Sequence, residues 1–167
     1  MSREWDKEFI TELGQILEAA GANVTADVIE GDDTLMIEPD GESFPVGCTV
    51  NIVHPTEDST GVFLLFPLFK ELVRKVCDDL YALMRYMNKY LQVGSFAVSA
   101  QDGYFCFRHT FIVDDDTDRT LLIAMTADTL DIAAATAAMG ADIAAPVIEG
   151  TTPVSELLNN DAVIIQQ

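Results

Sequence analysis

The first twenty residues carry apolar side chains at helical spacing. Between Arg3 and Ala20 an apolar residue returns every three or four positions, and Gly21 ends the pattern. A period of this kind predicts an amphipathic helix that buries one side against a core. The apolar side consists of Trp5, Phe9, Leu13, Ile16, Leu17 and Ala20.

Residues 24–54 follow a different pattern. Three short runs, VTADVIE, TLMIEP and CTVNIVH, are separated by segments rich in Gly, Asp and Pro. In the third run Cys48, Val50 and Ile52 alternate with polar residues, and a period of two is typical of an antiparallel sheet with one polar face. The run from Val62 to Phe69 is apolar without alternation. It predicts a central strand that is covered on both faces.

A second amphipathic helix is predicted from Lys70 to Leu91. Its apolar stripe consists of Leu72, Val73, Val76, Leu80, Leu83, Met84, Met87 and Leu91. The opposite side carries Arg74, Asp78, Tyr81, Arg85 and Lys89. The separation of the two sides is clean, so this helix is expected to pack through one face and to expose the other.

The remaining segments predict a hairpin and a third helix. After Gly94, the runs SFAVSA and YFCFRHTF flank the turn Gln101-Asp102-Gly103, as in a β-hairpin. The stretch from Thr120 to Ala145 is rich in Ala and Leu, which favours a helix, and Gly140 is a point at which this helix could be interrupted. Pro146, Gly150 and Pro153 are expected to mark its end.

The element order is therefore α, three or four β, α, two β, α. This order predicts a single α+β domain, with an antiparallel sheet packed against helices. At 167 residues and 18.2 kDa the chain has room for one such domain. We expect it to occupy residues 1–150, with residues 151–167 as a loosely docked C-terminal tail.

Acidic residues dominate the charge. There are 28 Asp and Glu residues against 9 Lys and Arg, so the formal net charge is −19. Such a field repels phosphate groups, which excludes nucleic acid and anionic membranes as partners of the whole molecule. The N-terminal residues lack the pattern of a secretory signal, and no apolar run approaches the roughly 20 residues that span a bilayer. A soluble cytoplasmic protein is expected.

The few basic residues are concentrated in the second predicted helix. The segment from Lys70 to Leu91 holds five of the nine, with three acidic residues. The spacing allows Glu71 to pair with Lys75, Arg74 with Asp78, and Lys75 with Asp79. Arg85 and Lys89 then remain as an unpaired cationic couple. They would face carboxylates of the same chain or of a second copy, or form a solvated helix face.

Two clusters are therefore candidate contacts with a partner or in a homodimer. The first consists of Arg74, Tyr81, Arg85 and Lys89 in the second helix. The second consists of Trp5 and Phe9 in the first helix, for which a place in the core is the alternative.

The sequence offers little support for catalysis or metal binding. The acidic run Asp114–Asp118 resembles the start of a calcium loop, but Arg119 and Met125 stand where Gly and Glu are required. Its last residues, Thr117 or Asp118, are better candidates for a helix cap. Cys48, Cys77 and Cys106 fit neither a disulfide framework nor a metal motif, so buried reduced thiols are expected. No catalytic residue, cofactor or metal ligand is assigned.

The two histidines do not form an obvious catalytic pair. His109 shares a predicted strand face with three phenylalanines, so it is expected near the core. Cys106 and His109 are three positions apart, which would put their side chains on opposite faces of one strand. His54 precedes a proline at a strand end, with no metal-ligand partner at a recognisable spacing.

The segment from Leu91 to Thr117 resembles the YbjN domain family. Members carry a helix that ends in an L-x-x-G-x-F-x-V phrase, then an Asp-Gly turn, then an aromatic strand with an Arg-His pair. The matching residues here are Leu91, Gly94, Phe96, Val98, Asp102, Gly103, Phe105, Phe107, Arg108 and His109. Together with the element order, the resemblance covers residues 3–148.

This resemblance implies a fold similar to that of type III secretion chaperones. Those proteins are small, acidic and usually dimeric, and they hold a partner polypeptide in a non-globular form. The resemblance therefore implies a non-enzymatic, chaperone-like domain that binds protein or acts as a regulator in sensory transduction or stress. Such a domain would bind an extended peptide at an exposed apolar groove or strand edge.

Other functions remain open on the sequence. The chain could be a secretion chaperone proper, or a ligand-binding domain or enzyme with a pocket near Arg108 and His109. The acidity could also be an adaptation to high salt.

Overall fold

The computed structural model describes residues 3–40, 44–114 and 116–159. They form an α+β fold with a six-stranded antiparallel sheet and four helices, which confirms the predicted fold class. The elements are α1 (Arg3–Ala19), β1 (Val24–Ile29), β2 (Asp32–Ile37), β3 (Cys48–Thr56), β4 (Ser59–Phe69), α2 (Arg74–Asn88), β5 (Ser95–Ser99), β6 (Tyr104–Asp114), α3 (Arg119–Ile148) and α4 (Val154–Asn159).

The strands lie in the order β1-β2-β3-β4-β6-β5. Four consecutive strands form a meander, and the β5–β6 hairpin adds with β6 on the inside, so β1 and β5 are the edges. Contacts group the chain into two compact units, one of Met1–Phe66 with His109–Ala135 and one of Pro67–Arg108 with Thr136–Gln167. Strands β4 and β6 and helix α3 contribute residues to both units.

Helix α1 packs against β1, β2 and β3. Phe9, Ile10, Leu13 and Leu17 form its buried side. The predicted stripe differs at Ile16, whose side chain is 49% exposed. Gly14 lies over β2, where an added methyl group would be 3.2 Å from Leu35. The close approach at Gly14 rotates the buried face toward Ile10 and leaves Ile16 outside.

Strand β4 does alternate, although its sequence does not. Val62, Leu64 and Phe66 are fully buried, whereas Phe63 and Leu65 between them are half-buried. One face of the strand therefore belongs to the core and the other is partly covered.

Helix α2 begins four residues later than predicted. Glu71 has a left-handed φ of 60°, and the Leu72 N–H donates to the carbonyl of Gly103 at 2.9 Å. These features hold the connector against the turn of the β5–β6 hairpin, so helical geometry starts at Arg74. As a result Val73 is 67% exposed, contrary to its place in the predicted stripe. The buried face is made of Cys77, Leu80, Leu83 and Met87.

Phe96 of β5 is the centre of an aromatic cluster. Its ring stacks on Phe105 at a centroid distance of 5.7 Å and lies 5.1 Å from Phe107. Two glycines of the second unit make this packing possible. A methyl group on Gly94 would lie 2.3 Å from the Phe107 ring, and one on Gly140 would lie 2.1 Å from the Phe96 ring.

Helix α3 is continuous, so neither Gly140 nor Pro146 ends it. Gly140 is an interior position that lets the helix approach Phe96, and Pro146 lies in the last turn. In the part of the chain that the structure describes, α3 is also the one helix long and apolar enough to cross a membrane. The sequence expectation that no such segment exists was wrong. A core helix meets the same two criteria, so this finding is weak evidence for a span.

The segment after Gly150 contains more order than a loose tail would. Thr151 and Thr152 donate their N–H groups to the carbonyl of Pro146. Helix α4 follows and contacts α2. Residues 160–167, the rest of the predicted tail, lie outside the described residues.

We predict that Gly140→Ala destabilises the protein. At an open helix position this change stabilises by about 1 kcal/mol, but here the new methyl group would overlap the Phe96 ring. Overpacking of this kind costs about 1–3 kcal/mol. The free energy of unfolding in urea should therefore fall. In a double-mutant cycle, Gly140→Ala should cost less when Phe96→Leu is already present, because the smaller side chain leaves room for the methyl group. A Gly140→Ala variant more stable than wild type would contradict the packing.

Candidate functional site

The polar face of α2 is exposed, as expected. Arg74, Tyr81, Arg85 and Lys89 all lie at the surface, and the Tyr81 side chain is 53% exposed. Their spacing places them along one stripe of the helix, which we call the α2 strip. Three of the nine basic residues of the chain lie in this strip.

An open groove of about 350 Å³ borders the α2 strip. It is lined by Ala82, Arg85, Tyr86, Lys89 and, from α4, Leu158. The Lys89 ammonium lies 5.3 Å from the centroid of the Tyr90 ring, within the range of a cation–π contact. The groove therefore combines aromatic and aliphatic surface with two positive charges.

The ion pairs of the described residues lie away from α2. None of the three predicted i,i+4 pairs within that segment forms among the described residues. Instead Arg119, at the start of α3, donates to Glu12 at 2.7 Å and also to Glu8, which ties α3 to α1. Residues more than a hundred positions apart form this clamp, so no local spacing could have indicated it.

His54 also has a partner that the sequence did not indicate. Its Nε2 lies 3.0 Å from the Asp6 carboxylate, and its Nδ1 lies 3.5 Å from the Thr60 hydroxyl. A carboxylate, an imidazole and a hydroxyl in series resemble a catalytic triad. Thr60, however, is fully buried, so its hydroxyl cannot meet a substrate. Asp6, His54 and Thr60 therefore link α1 to β3 and β4.

The first-helix cluster is split by the structure. Phe9 is fully buried and its ring is stacked 5.7 Å from that of Trp5. Phe9 is therefore a core residue, and its assignment as a partner contact is corrected. Trp5 is half-buried and covers Phe9 from the outside.

Arg108 and His109 do not form a joint site. Arg108 is exposed, whereas His109 is half-buried with its ring 6.0 Å from that of Phe111. Adjacent residues of a strand point to opposite faces. Burial lowers the pKa of His109 below its usual 6.5, so this imidazole is neutral at physiological pH.

The cysteines are free and buried, as expected. Burial raises the pKa of the Cys48 and Cys106 thiols. A protonated, buried thiol is a poor nucleophile and a poor metal ligand. The acidic run that precedes α3 has a structural role at its end, where the Asp118 carboxylate accepts the N–H of Leu121 at 3.1 Å and caps the helix. Asp115 lies outside the described residues.

One side chain covers the outer edge of β5 at Phe96. Asn88, the last residue of α2, accepts the N–H of Phe96 through Oδ1 at 2.8 Å and donates to its carbonyl through Nδ2 at 2.9 Å. These two bonds imitate the pairing of a further strand. Strand β6 is interior, and on β5 the main chain of Phe96 is not available to a peptide. The outward groups of Val98, two residues on, have no partner among the described residues.

The opposite edge of the sheet, β1, is open. The N–H of Glu38 donates to the carbonyl of Asn23 at 2.9 Å, and antiparallel ladders alternate. Val24, Ala26 and Val28 must then direct their main-chain groups away from β2. The Val28 N–H is taken by the Asp27 carboxylate at 2.7 Å. No described residue pairs with the outward groups of Val24 and Ala26.

A furrow runs between this edge and α1. Two adjoining depressions of about 180 and 230 Å³ share Ile10, Thr11 and Ala26 in their linings. Leu35 and Ile10 are buried beneath it. Ala26 pairs with Leu35 across the strands, so its side chain faces α1 with those of Val24 and Val28. The α1–β1 furrow thus places apolar surface next to unpaired main-chain groups.

In comparisons with known proteins, no family model and no curated protein matches this chain. The residues that carry the resemblance to YbjN domains can be assessed in the structure directly. Gly94 and Gly103 have left-handed φ angles of 69° and 61°. Phe96, Phe105 and Phe107 are buried. These positions build the hairpin and its packing.

The Asn88 bonds predict a difference between the two sheet edges in amide exchange. The Phe96 amide should exchange slowly, and the Ala26 amide should exchange rapidly. Asn88→Ala should expose the Phe96 amide to exchange. It should also lower the free energy of unfolding by about 1–3 kcal/mol, because the part-buried N–H and carbonyl of Phe96 lose their hydrogen-bond partners. Asn88→Asp keeps the acceptor and should retain part of the protection. Equal protection of Phe96 and Ala26 in the wild type would argue against an open β1 edge.

The α2 strip predicts self-association that depends on its charges. A homodimer through this strip should give a light-scattering mass near twice 18.2 kDa at micromolar concentration. Arg85→Glu with Lys89→Glu should return the mass to that of the monomer, whereas Lys70→Glu with Lys75→Glu changes the net charge equally and should have less effect. A mass that stays at one chain over all concentrations would rule out the dimer.

Proposed function

We propose that the chain is a non-enzymatic protein-binding domain that holds an extended segment of another polypeptide in the manner of a chaperone. The observation that carries the proposal is the open β1 edge beside the α1–β1 furrow. This function is the one that the resemblance to YbjN domains and secretion chaperones implies. A role in sensory or stress regulation, and a cytoplasmic location, belong to the same proposal.

Main-chain pairing would supply the affinity. An unpaired strand edge offers a regular row of donors and acceptors to any extended peptide, whatever its sequence. Proteins usually protect such an edge, as Asn88 protects the main chain of Phe96 on β5. No described residue covers the outward groups of Val24 and Ala26 in this way, as is expected of an edge that receives a guest strand.

The α1–β1 furrow would supply the selectivity for shape. A guest strand paired with β1 would direct every second side chain toward α1. There it would meet Ile10 and the neighbouring Val24 and Ala26. The depressions hold small or medium side chains and are too open and shallow to enclose a small molecule. Polypeptide binding therefore fits this site better than ligand binding or catalysis.

A proline at position 26 tests this proposal. The Ala26 N–H points away from β2, so Ala26→Pro removes an outward donor without breaking a bond within the sheet, and edge strands tolerate proline at such positions. Ala26→Val is the matched control because it changes the side chain and keeps the donor.

Short peptides selected on the wild-type chain from a random display library are the probe. We expect their affinity to fall roughly tenfold or more in Ala26→Pro and to change little in Ala26→Val, as measured by fluorescence anisotropy. The proposal fails if the library yields no binder, or if the selected peptides bind Ala26→Pro as tightly as wild type. Urea unfolding of both variants checks that the fold is retained.

A further inference from the structure

Carboxylates stand at both ends of the α1–β1 furrow. Glu18 lies at one end, and Asp27 and Asp33 lie at the other. Lys7 is the one basic residue among those that line it. The apolar middle is therefore flanked by an excess of negative charge.

Asp27 is placed where a guest strand would pass. Its carboxylate accepts the outward N–H of Val28, so it lies in the plane of the sheet at the open edge and not above it. Asp33 is directly opposite Val28 in the β1–β2 register and is half-buried. Asp33 therefore faces α1, as Leu35 does, whereas Asp27 belongs to the other face of the strand. A positive side chain directly opposite Asp27 in a paired strand would meet that carboxylate.

The charge of the whole chain acts in the same direction. With a formal net charge of −19, the molecule attracts basic peptides at long range and repels acidic ones, an effect that salt weakens over about 10 Å at 0.1 M. The local carboxylates and the overall field therefore select for the same sign of charge.

Resting on the function proposed above, we propose that the α1–β1 furrow selects a basic extended segment, in which apolar residues that face α1 alternate with Lys or Arg. The alternation follows from the pleat of a strand paired with β1. Strand β1 has six residues, so the bound segment spans about 20 Å. Its apolar side chains fill the furrow beside Ile10 and Ala26, and its basic side chain opposite Asp27, on the face away from α1, reaches that carboxylate.

The probe for this proposal is a synthetic peptide, Lys-Val-Lys-Val-Lys-Val-Lys. N-methylation of the amides along one edge keeps it from stacking on itself and leaves one edge free to pair. The comparison peptide replaces every Lys by Glu. A third peptide, methylated along both edges, keeps the charges but cannot pair through its N–H groups.

The wild-type chain should bind the Lys peptide roughly tenfold or more tightly than the Glu peptide, and the preference should shrink as salt is raised. The peptide methylated on both edges should bind weakly. Calorimetry or anisotropy measures all three.

A matched pair of variants separates the furrow from the overall charge. Asp27→Asn removes the charge that faces the basic side chain, and Asn can still accept the Val28 N–H. Asp58→Asn removes one exposed charge at the β3–β4 turn. We expect the first variant to bind the Lys peptide roughly 1.5- to 5-fold more weakly, as the loss of one exposed ion pair predicts. The second should change binding by less than the first.

The outcomes distinguish this proposal from the function on which it rests. Equal binding of the Lys and Glu peptides, both lost in Ala26→Pro, would overturn the charge preference and leave the edge-binding function in place. Equal weakening by the two charge variants would overturn the role of Asp27. Failure of the Lys peptide to bind, while library-selected peptides without basic residues bind, would overturn the preference as well.

Discussion

The fold of the second unit depends on the way in which Phe96 is held. Asn88 binds both of its main-chain groups, Phe105 and Phe107 contact its ring, and Gly140 leaves the space that the ring occupies. Each contact constrains a different element, namely the end of α2, the partner strand β6 and the middle of α3. A short edge strand of five residues has few hydrogen bonds of its own, so its position depends on these neighbours. The same bonds cover the β5 edge at Phe96, whereas no described residue covers the outward groups of Val24 and Ala26 on β1.

Local patterns predicted most of the fold because the physical causes were local. The helical period of α1 and α2, the alternation in β3 and the Asp-Gly turn of the hairpin each act within a few residues. The errors arose where distant residues intervene. Val73 is exposed because Gly103, in a hairpin thirty positions later, binds the neighbouring Leu72. Gly140 continues its helix because an aromatic ring from β5 requires its lack of a side chain.

The candidate site was less predictable than the fold. Its chemistry lies in the main chain of β1, and which strands form the edges follows from the order β1-β2-β3-β4-β6-β5, which no run of residues displays. On the sequence, Phe9 is as plausible a partner contact as Trp5. Its complete burial in the structure excludes it. The basic residues of α2 were predictable as an exposed face, because amphipathic spacing fixes which side of a helix is polar. The Arg119 clamp and the His54–Asp6 pair were not, since long-range ion pairs have no signature in spacing.

The two polar surfaces make different electrostatic demands on a partner. Any acidic partner of the α2 strip, including a second copy of the chain, gains contact pairs with Arg85 and Lys89 but must approach against a net charge of −19. Screening removes that repulsion beyond about 10 Å at moderate salt, whereas contact pairs are weakened less, so association through the strip is favoured by salt. A basic strand at the α1–β1 furrow is attracted both at long range and at contact, and salt opposes its binding. Opposite responses to ionic strength therefore allow the two surfaces to be told apart in one titration.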